Sequence, residues 1–138
     1  MSRSNFKTVS VRSSKGIEFI DITHEVRQYV REKGVDSGIV LVYTPHTTAG
    51  ITINENADPA VTTDIEAFLK QKIPHESYFR HMEGNSPAHI MSSYFSASET
   101  LIINDGELVL GTWQGIYFCE FDGPRTRKVH LKIIEDRD

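Results

Sequence analysis

Hydrophobic and polar residues alternate along much of the chain, a pattern typical of strands with one buried and one exposed face. Eight segments have a strand pattern, and they are Phe6–Arg12, Ile17–Ile22, Gly38–Thr44, Ala49–Asn54, Leu101–Asn104, Glu107–Leu110, Ile116–Phe121 and Lys128–Ile134. The segment Gly38–Thr44 is apolar at consecutive positions, which predicts a central strand. Between two of the segments lies Asp105-Gly106, a dipeptide that favours the tight type I′ turn of a hairpin.

Three other segments have apolar residues at helical spacing, and they are His24–Lys33, Pro59 to about Ile73, and Ala88–Phe95. Thr23 is expected to cap the first helix, and Gly34 stands where a C-cap glycine belongs. Asp58 before Pro59 is a strong start signal, because Asp accepts from free amides and Pro has no amide hydrogen to leave unbonded. The stripe predicted to be buried on the second helix is Val61, Ile65, Phe68 and Leu69.

These elements do not follow the strand–helix–strand order of a parallel sheet. We therefore predict an α+β fold, with an antiparallel β-sandwich or barrel core and two or three flanking helices. The chain has 138 residues and contains no internal repeat, linker or low-complexity stretch, so one domain over residues 1–138 is expected.

Composition narrows the possible functions. Hydrophobic residues make up 38% and charged residues 25%, and the net charge of −4 argues against a nucleic-acid-binding surface. No secretory signal pattern occurs before Phe19, and the longest apolar run, Ile39–Tyr43, is far shorter than the roughly 20 residues of a membrane span. We expect a soluble, cytoplasmic protein with no nucleic-acid or membrane partner, in which the single Cys119 is apolar filler.

Three of the six histidines lie where polar chemistry is expected. His46 follows a strand within Thr44–Thr48, while His81 and His89 bracket a polar loop that leads into the third helix. Neutral imidazole is a good ligand for zinc, nickel or iron, so a three-histidine site is one interpretation. Their spacing matches no established zinc motif, and hydrogen-bonded loop histidines are the other interpretation.

Two acidic residues fall at positions where the pattern predicts burial. Asp64 lies three residues after Val61 and four before Phe68, on or beside the apolar stripe of its helix. Glu120 shares its strand face with Phe118. A carboxylate at such a position is expected to be paired, to ligate a metal or to lie at an interface.

Two further segments are candidates for binding. Arg125, Arg127 and Lys128 lie close together in a basic turn after Asp122. Such a turn is either simply solvated or, beside an acidic, histidine-bearing pocket, able to hold phosphate through the guanidinium fork. In the block Gly111–Gly115, two glycines flank Thr112, the only tryptophan, Trp113, and Gln114. Such glycines indicate unusual backbone angles or a close approach, although Trp113 as core filler is the plain alternative.

Taken together, these residues resemble the YjbQ-like family, which is described as a secondary thiamine-phosphate synthase family. The resemblance extends over nearly the whole chain. The residues that carry it are His46, Thr47, Thr48, Thr52–Asn56, Asp58, Pro59, Asp64, His81, Glu83, Gly84, His89, Gly111–Ile116 and Glu120. Met82 stands where members often have an acidic residue, and the loop between His81 and His89 is shorter than in some members.

The resemblance implies a compact α+β fold that assembles as a homotrimer with polar pockets near the subunit interfaces. It implies a metal ion at the histidine cluster, which corresponds here to His46, His81 and His89. It also implies an enzyme that joins hydroxymethylpyrimidine diphosphate to thiazole phosphate and releases pyrophosphate.

On this hypothesis a divalent metal ion acts as an electrostatic clamp. Zinc (Zn²⁺) is the expected ion, with magnesium (Mg²⁺) open because it is the usual partner of diphosphate. The residues expected to bind the small phosphorylated substrate are Thr47, Thr48, Asn54 and Arg125. The residues expected to orient the histidines or to face the substrate rings are Glu55, Asp64, Trp113, Gln114 and Glu120.

Two other functions stay open at this point. One is a non-catalytic trimeric binding or assembly protein whose metal is structural, and the other is a metal-dependent hydrolase of small phosphorylated compounds. A catalytic metal keeps an open coordination position, whereas a structural metal site is closed. Replacing His89 should therefore abolish turnover in an enzyme and dissociate the trimer in an assembly protein.

Overall fold

The computed structural model describes residues 5–137, which form eight strands and three helices. The strands are β1 (Phe6–Arg12), β2 (Glu18–Asp21), β3 (Gly38–Tyr43), β4 (Ala49–Glu55), β5 (Ser98–Asn104), β6 (Glu107–Leu108), β7 (Gln114–Glu120) and β8 (Thr126–Glu135). The helices are α1 (Thr23–Lys33), α2 (Pro59–Lys72) and α3 (Ser86–Tyr94). The predicted α+β fold is thus confirmed, with element ends shifted by a few residues.

The strands form two antiparallel sheets that share one core. The larger sheet has the order β1-β8-β3-β5-β6, and the smaller has the order β2-β7-β4. Their inner faces pack together with α1 because alternate residues of each strand are apolar. The main core includes Val40, Val42, Val129, Leu131 and Ile133 from the larger sheet, Ile51, Ile116 and Phe118 from the smaller, and Val26, Tyr29 and Val30 from α1.

A second core lies between the smaller sheet and the pair of helices α2 and α3. Its residues include Phe19, Tyr117, Cys119 and Phe121 from the sheet side, and Leu69, Ala88 and Met91 from the helices. Strand β7 is therefore buried on both faces. Cys119 is completely buried, and burial raises the pKa of its thiol well above the ordinary value. The prediction that Cys119 is apolar filler is thus confirmed.

The outer face of the larger sheet is partly exposed and carries apolar residues together with polar ones such as Lys132. Strand β3 is central, as predicted, but its outward residues Ile39 and Leu41 are only half-buried. Around them, Phe6, Tyr43, Ile102 and Ile134 are each more than 40% exposed. The rings of Phe6 and Tyr43 lie on either side of His130, with centroids 5.2 and 6.2 Å from the imidazole.

The predicted start of α2, end of α1 and hairpin turn are present in the structure. The Asp58 side chain accepts from the amide of Ala60 at 2.9 Å at the start of α2, and Gly34 ends α1 with φ of 63°. In the hairpin turn, Asp105 and Gly106 both have positive φ, at 52° and 79°.

Thr23 does not cap α1. Ile22 occupies the N-cap position without a side-chain bond, and Thr23 is the first helical residue. Its hydroxyl donates to Asp21 Oδ1 at 2.6 Å and accepts from the amide of Ile116 at 2.8 Å. The hydroxyl thus ties the start of α1 to strands β2 and β7.

Helix α2 is a surface helix with a narrower buried stripe than predicted. Leu69 is its only buried residue, and Phe68 is 58% exposed. The expectation that Asp64 lies on or beside this stripe is wrong, because Asp64 is exposed. Within residues 5–137, no helix combines the length and the apolar character needed to cross a membrane.

Candidate functional site

A polar cleft of about 360 Å³ opens where three segments meet: the loop after β3, the loop before α3 and the turn between β7 and β8. We call it the histidine cleft. It is lined by Pro45, His46, Thr47, Thr48, His81, Glu83, Asn85, His89, Asp122, Arg125 and Arg127. The structure therefore brings together all three predicted histidines and three of the four predicted phosphate-binding residues.

The loop that carries His46 is anchored at both ends by backbone hydrogen bonds. Thr44 donates its amide to the carbonyl of Ala97 at 2.9 Å, and the carbonyl of Thr48 accepts from Phe121 at 3.1 Å. Pro45 between them ends strand β3, because it has no amide hydrogen for the ladder. The loop thus holds His46 and Thr47 against the turn that follows β7.

The imidazole of His46 is itself fixed by the backbone. Its Nε2 atom accepts the amide hydrogen of Lys128 at 2.9 Å. Burial, followed by the positive charge of Arg127, lowers the pKa of His46 below its ordinary value of 6.5. The ring is therefore neutral at pH 7, with its single proton on Nδ1, where it can donate to a ligand.

The other two histidines form a pair. The rings of His81 and His89 are edge to face, with centroids 5.1 Å apart. The loop between them is held to the β7–β8 turn by Asn85, whose Nδ2 donates to Asp122 Oδ2 at 2.9 Å. On α3, Ser92 is half-buried, and its hydroxyl donates to the carbonyl of Ala49 at 2.7 Å.

The three-histidine metal site implied by the resemblance does not fit these side chains as they are arranged. Within residues 5–137, no group of three or more His, Cys, Asp or Glu side chains is placed to hold a metal ion. The lone pair of His46 Nε2 is already used by the Lys128 amide, and the Nδ1 of the neutral ring carries a proton. Metal ligation by His46, His81 and His89 stays a prediction, and it requires His46 to release Lys128.

Beneath the cleft lies an ion pair between Glu120 and Arg127, which are 0% and 3% exposed. Arg127 Nε donates to the two carboxylate oxygens at 2.9 and 3.1 Å, and Nη2 donates to Glu120 as well. Arg127 Nη2 also donates to the hydroxyl and the carbonyl of Thr48, at 2.8 and 3.2 Å. The guanidinium therefore ties the Thr48 loop to the end of strand β7.

Glu120 is buried, as its strand face predicted, and it is fully hydrogen-bonded. Besides Arg127, the hydroxyl of Ser13 donates to it at 2.8 Å and the amide of Asp122 at 2.9 Å. Burial alone raises the pKa of Glu120, but these hydrogen bonds, above all those from Arg127, outweigh burial and hold it below its ordinary value. None of these bonds involves a histidine, so Glu120 positions Arg127 and does not orient an imidazole.

Arg125 lies at the mouth of the cleft. Its side chain is half exposed, and Nη2 donates to Asp122 Oδ2 at 3.1 Å. Its backbone amide donates to the hydroxyl of Ser13 at 2.9 Å. The turn is therefore fixed at the backbone, and the half-exposed guanidinium is paired with Asp122 at the mouth of the cleft.

The remaining predicted site residues lie elsewhere. Asn54, Glu55, Trp113 and Gln114 lie together at the opposite end of the β4–β7 ladder, which we call the far rim. Glu55 pairs with Gln114 at this end, whereas Ala49 pairs with Glu120 at the cleft. Six residue steps along a strand span about 20 Å. Asp64 also lies outside the cleft, on α2.

The far rim is held by bonds between its side chains and nearby backbone. Gln114 Oε1 accepts from the amide of Gly111 at 2.8 Å, and a Cβ on Gly115 would meet Asn56 Nδ2 at 2.5 Å. The close approach predicted from the two glycines is thus present at Gly115. Trp113 is 62% exposed, so it is not core filler.

Comparison with known proteins places this fold and these residues in one family. The sequence pattern of the family described as UPF0047 protein YjbQ-like matches residues 7–136. The chain belongs to this family. It is 54% identical over 129 residues to UPF0047 protein YugU of Bacillus subtilis, covering 93% of this chain and 98% of YugU. UPF0047 protein MJ1081 of Methanocaldococcus jannaschii is 54% identical over 127 residues, or 92% of each chain.

Solved structures of YjbQ-like proteins have the same fold. An uncharacterised YjbQ/UPF0047 family protein of Clostridium acetobutylicum has a TM-score of 0.90 at 55% identity, covering 93% of this chain and 99% of that one. A protein of unknown function from Sulfolobus solfataricus, described as YbjQ-like, has a TM-score of 0.89 at 31% identity, covering 95% of this chain and 96% of that one. These likenesses establish family and fold, and they carry no activity.

Sequence reasoning assigned no site role to three polar residues of this YjbQ-like cleft, namely Glu83, Asn85 and Asp122, and it placed Arg127 only in a basic turn, without its burial. Arg127 had a usable signal, because it alternates with Val129, Leu131 and Ile133 and so falls on the inward face of β8. A charged residue in such a register predicts a buried pair. Asn85 and Asp122 gave no comparable signal, since both lie in loops.

Proposed function

We propose that this YjbQ-like protein binds a small phosphorylated compound in the histidine cleft. The observation that carries the proposal is that Arg125 and Arg127 line one cleft together with a neutral histidine donor, His46. Guanidinium groups and N–H donors are the usual protein partners of phosphate oxygens. The hydroxyls of Thr47 and Thr48 lie at the same cleft and add further polar groups.

We further propose that the protein is an enzyme of the type implied by the family resemblance, a thiamine-phosphate synthase-like transferase. In that reaction the carbon–oxygen bond to the diphosphate breaks, and its electron pair leaves with pyrophosphate. The thiazole nitrogen forms the new carbon–nitrogen bond at the same carbon. The cleft is suited to the leaving group, because fixed positive charge and N–H donors stabilise the charge that develops on it.

His46 has a specific part in this scheme. Its Nε2 is held by the Lys128 amide, so the neutral ring offers Nδ1–H as a hydrogen-bond donor to a leaving oxygen. His81 and His89 supply two more imidazoles at the same opening. A divalent metal ion, Zn²⁺ or Mg²⁺, stays part of the hypothesis, and its binding by His46 would require release of the Lys128 amide.

A homotrimer is the assembly we propose, in agreement with the family resemblance. Support comes from the outer face of the larger sheet, where Phe6, Tyr43, Ile102 and Ile134 remain exposed. Ile134, Ile39 and Ile102 are paired directly across three neighbouring strands, and a partly exposed apolar row of this kind is typical of faces that a second chain covers. The test is the solution mass by light scattering, for the wild type and for Ile102→Lys, in which the exposed side chain becomes charged.

The first experiment on function titrates the wild type with inorganic phosphate and, separately, with pyrophosphate. Isothermal titration calorimetry measures the binding in each case. Pyrophosphate is expected to bind more tightly, because two phosphoryl groups meet both arginines. Arg125→Gln should weaken this binding, whereas Arg31→Gln, far from the cleft on α1, should not. Absence of binding by the wild type would overturn the proposal.

Turnover is then tested with hydroxymethylpyrimidine diphosphate and thiazole phosphate, with and without added Zn²⁺ or Mg²⁺. Pyrophosphate formed together with thiamine phosphate supports the transferase. Release of phosphate from either compound alone indicates a hydrolase of small phosphorylated compounds. Binding without turnover, and a trimer that dissociates in His89→Ala, supports an assembly protein.

A further inference from the structure

The histidine cleft has a charged side chain at its floor that is almost completely buried. Arg127 is 3% exposed, yet it is one of the residues that line the cleft. Burial of a charge is costly unless the group is paired and hydrogen-bonded. The contacts of Arg127 therefore indicate what this charge does.

The guanidinium is held through only two of its three nitrogen atoms. The five bonds of Arg127 to Glu120 and Thr48 are made by Nε and Nη2. A guanidinium has five N–H groups, of which Nε carries one and Nη2 two. The two N–H groups of Nη1 take part in none of these five bonds. Because Arg127 lines the cleft, these two N–H groups are the ones left to donate to a ligand there.

The carboxylate partner is engaged on several sides, which keeps Arg127 in place. Glu120 accepts from Ser13 and from the backbone of Asp122 as well as from Arg127. Arg127 Nη2 also binds Thr48, whose loop carries His46. The position of the guanidinium is therefore coupled to the position of the histidine across the cleft.

We infer that Arg127 is a fixed ligand-binding residue, whose Nη1 donates to an oxygen of the bound phosphoryl group. Glu120 is its positioning residue, and Arg125, which is paired with Asp122 at the mouth of the cleft, is a second cation that binds the same group. The ligand class is a phosphate monoester or diphosphate with its terminal phosphoryl group at the floor. This inference rests on the proposed function, because it names the residue that holds that ligand.

An arginine at this position can do two things that a lysine cannot do at once, namely pair with Glu120 and donate to a ligand. A lysine ammonium is a single point of charge, which can pair with Glu120 or reach a ligand. The planar guanidinium can bind the carboxylate and Thr48 on one side and a phosphoryl oxygen on the other. A purely structural cation at this position has no need of the third nitrogen.

The test compares three arginine-to-lysine variants by calorimetric titration with pyrophosphate. Arg127→Lys keeps the buried charge but loses the third nitrogen, so binding should weaken by about tenfold or more. Arg125→Lys should weaken it only a few-fold, because an exposed lysine can still reach the ligand. Arg31→Lys is the matched control: Arg31 also forms a two-nitrogen ion pair, with Glu107, but lies outside the cleft, and binding should not change.

Wild-type affinity in a folded Arg127→Lys variant, with an unchanged near-ultraviolet circular dichroism spectrum, would overturn the inference and leave the proposed function intact. Absence of pyrophosphate binding by the wild type would overturn both. If Arg127→Lys does not fold, a crystal structure of the wild type with pyrophosphate decides. A phosphoryl oxygen in hydrogen-bond contact with Arg127 Nη1 supports the inference, and a ligand bound without that contact overturns it.

Discussion

The two ends of the β4–β7 ladder are built from the same pair of strands and differ sharply in construction. At the cleft end, Glu120 is completely buried and paired with Arg127. At the far rim, Trp113 is 62% exposed, and Gln114 bonds the amide of Gly111, three residues away. A buried ion pair thus organises one end, and an exposed hydrogen bond from a side chain to nearby backbone organises the other.

This difference shows how one ladder can offer two kinds of surface. At the cleft, fixed charges and donors are presented to a small anion at little further cost, because the protein has already ordered them. At the far rim, the Gln114 side chain bonds to nearby backbone, and the ring of Trp113 is left exposed. Such a ring is suited to contact with another molecule and adds little to the stability of its own chain.

The largest expected effect distinguishes the two ends by stability. Glu120→Ala leaves Arg127 buried without its partner, so the free energy of unfolding should fall by about 3–5 kcal/mol. Gln114→Ala at the far rim should cost about 1 kcal/mol, since it removes one exposed hydrogen bond. Urea unfolding followed by circular dichroism measures both. Similar losses for the two variants would contradict the contrast between the ends.

Packing at the far rim is tested by Gly115→Ala. The added Cβ would meet Asn56 Nδ2 at 2.5 Å, and a forced shift of this kind should cost about 1–3 kcal/mol. Gly84→Ala is not a suitable control because Gly84 has a positive φ. Gly16→Ala is the better one, since its Cβ would come no closer than 4.0 Å to the carbonyl oxygen of Gly123. A neutral result at Gly115 would show that Asn56 moves freely.

The loss of folding stability at low pH should depend on Glu120, at the cleft end of the ladder. The folded pKa of Glu120 lies below its ordinary value of 4.5, so the folded state binds fewer protons than the unfolded state in that range. The stabilisation from Glu120 is therefore fully present above pH 4.5 and is lost as the pH falls through the folded pKa. Glu120→Gln should flatten this part of the stability curve. An unchanged slope between wild type and variant would contradict the assignment.

The smallest expected effect concerns a single proton. In ¹⁵N-labelled protein at neutral pH, the His46 ring should have its proton on Nδ1, because Nε2 accepts the Lys128 amide. Long-range nitrogen–proton correlation spectra distinguish the two tautomers. A proton on Nε2, or a metal-shifted Nε2 resonance in protein titrated with Zn²⁺, would show that His46 releases Lys128. Only the metal-shifted resonance would support metal ligation by His46, since a protonated Nε2 has no lone pair for a metal ion.

Much of the candidate site was predictable from short stretches of sequence. The three histidines, Thr47, Thr48 and Arg125 were selected from local context, and all of them line the histidine cleft. Glu120 was selected as a carboxylate on a buried strand face, and it is buried. Its bonds go to Arg127 and not to a histidine, and the strand pattern of Arg127 indicates a buried pair without naming the partner.

The error at Asp64 has a different origin. Its spacing from Val61 and Phe68 gave it a position near the apolar stripe, but Phe68 itself is exposed on α2. Helical periodicity indicates which residues share a face, and it does not indicate how much of that face a neighbouring element covers. That extent depends on how α2 lies over the smaller sheet.

The sequence by itself determined what neighbours along the chain can decide. The cap at Asp58, the left-handed Gly34, the Asp105-Gly106 turn and the order of strands and helices all follow from backbone preferences over a few residues. Only the tertiary structure decided which polar residues meet. Ser13 and Glu120 are 107 positions apart in sequence, and strand pairing and register bring them together. The tertiary structure also separates Glu55 from His46. His46 lies just before strand β4 and Glu55 is its last residue, so the length of the extended strand keeps them apart.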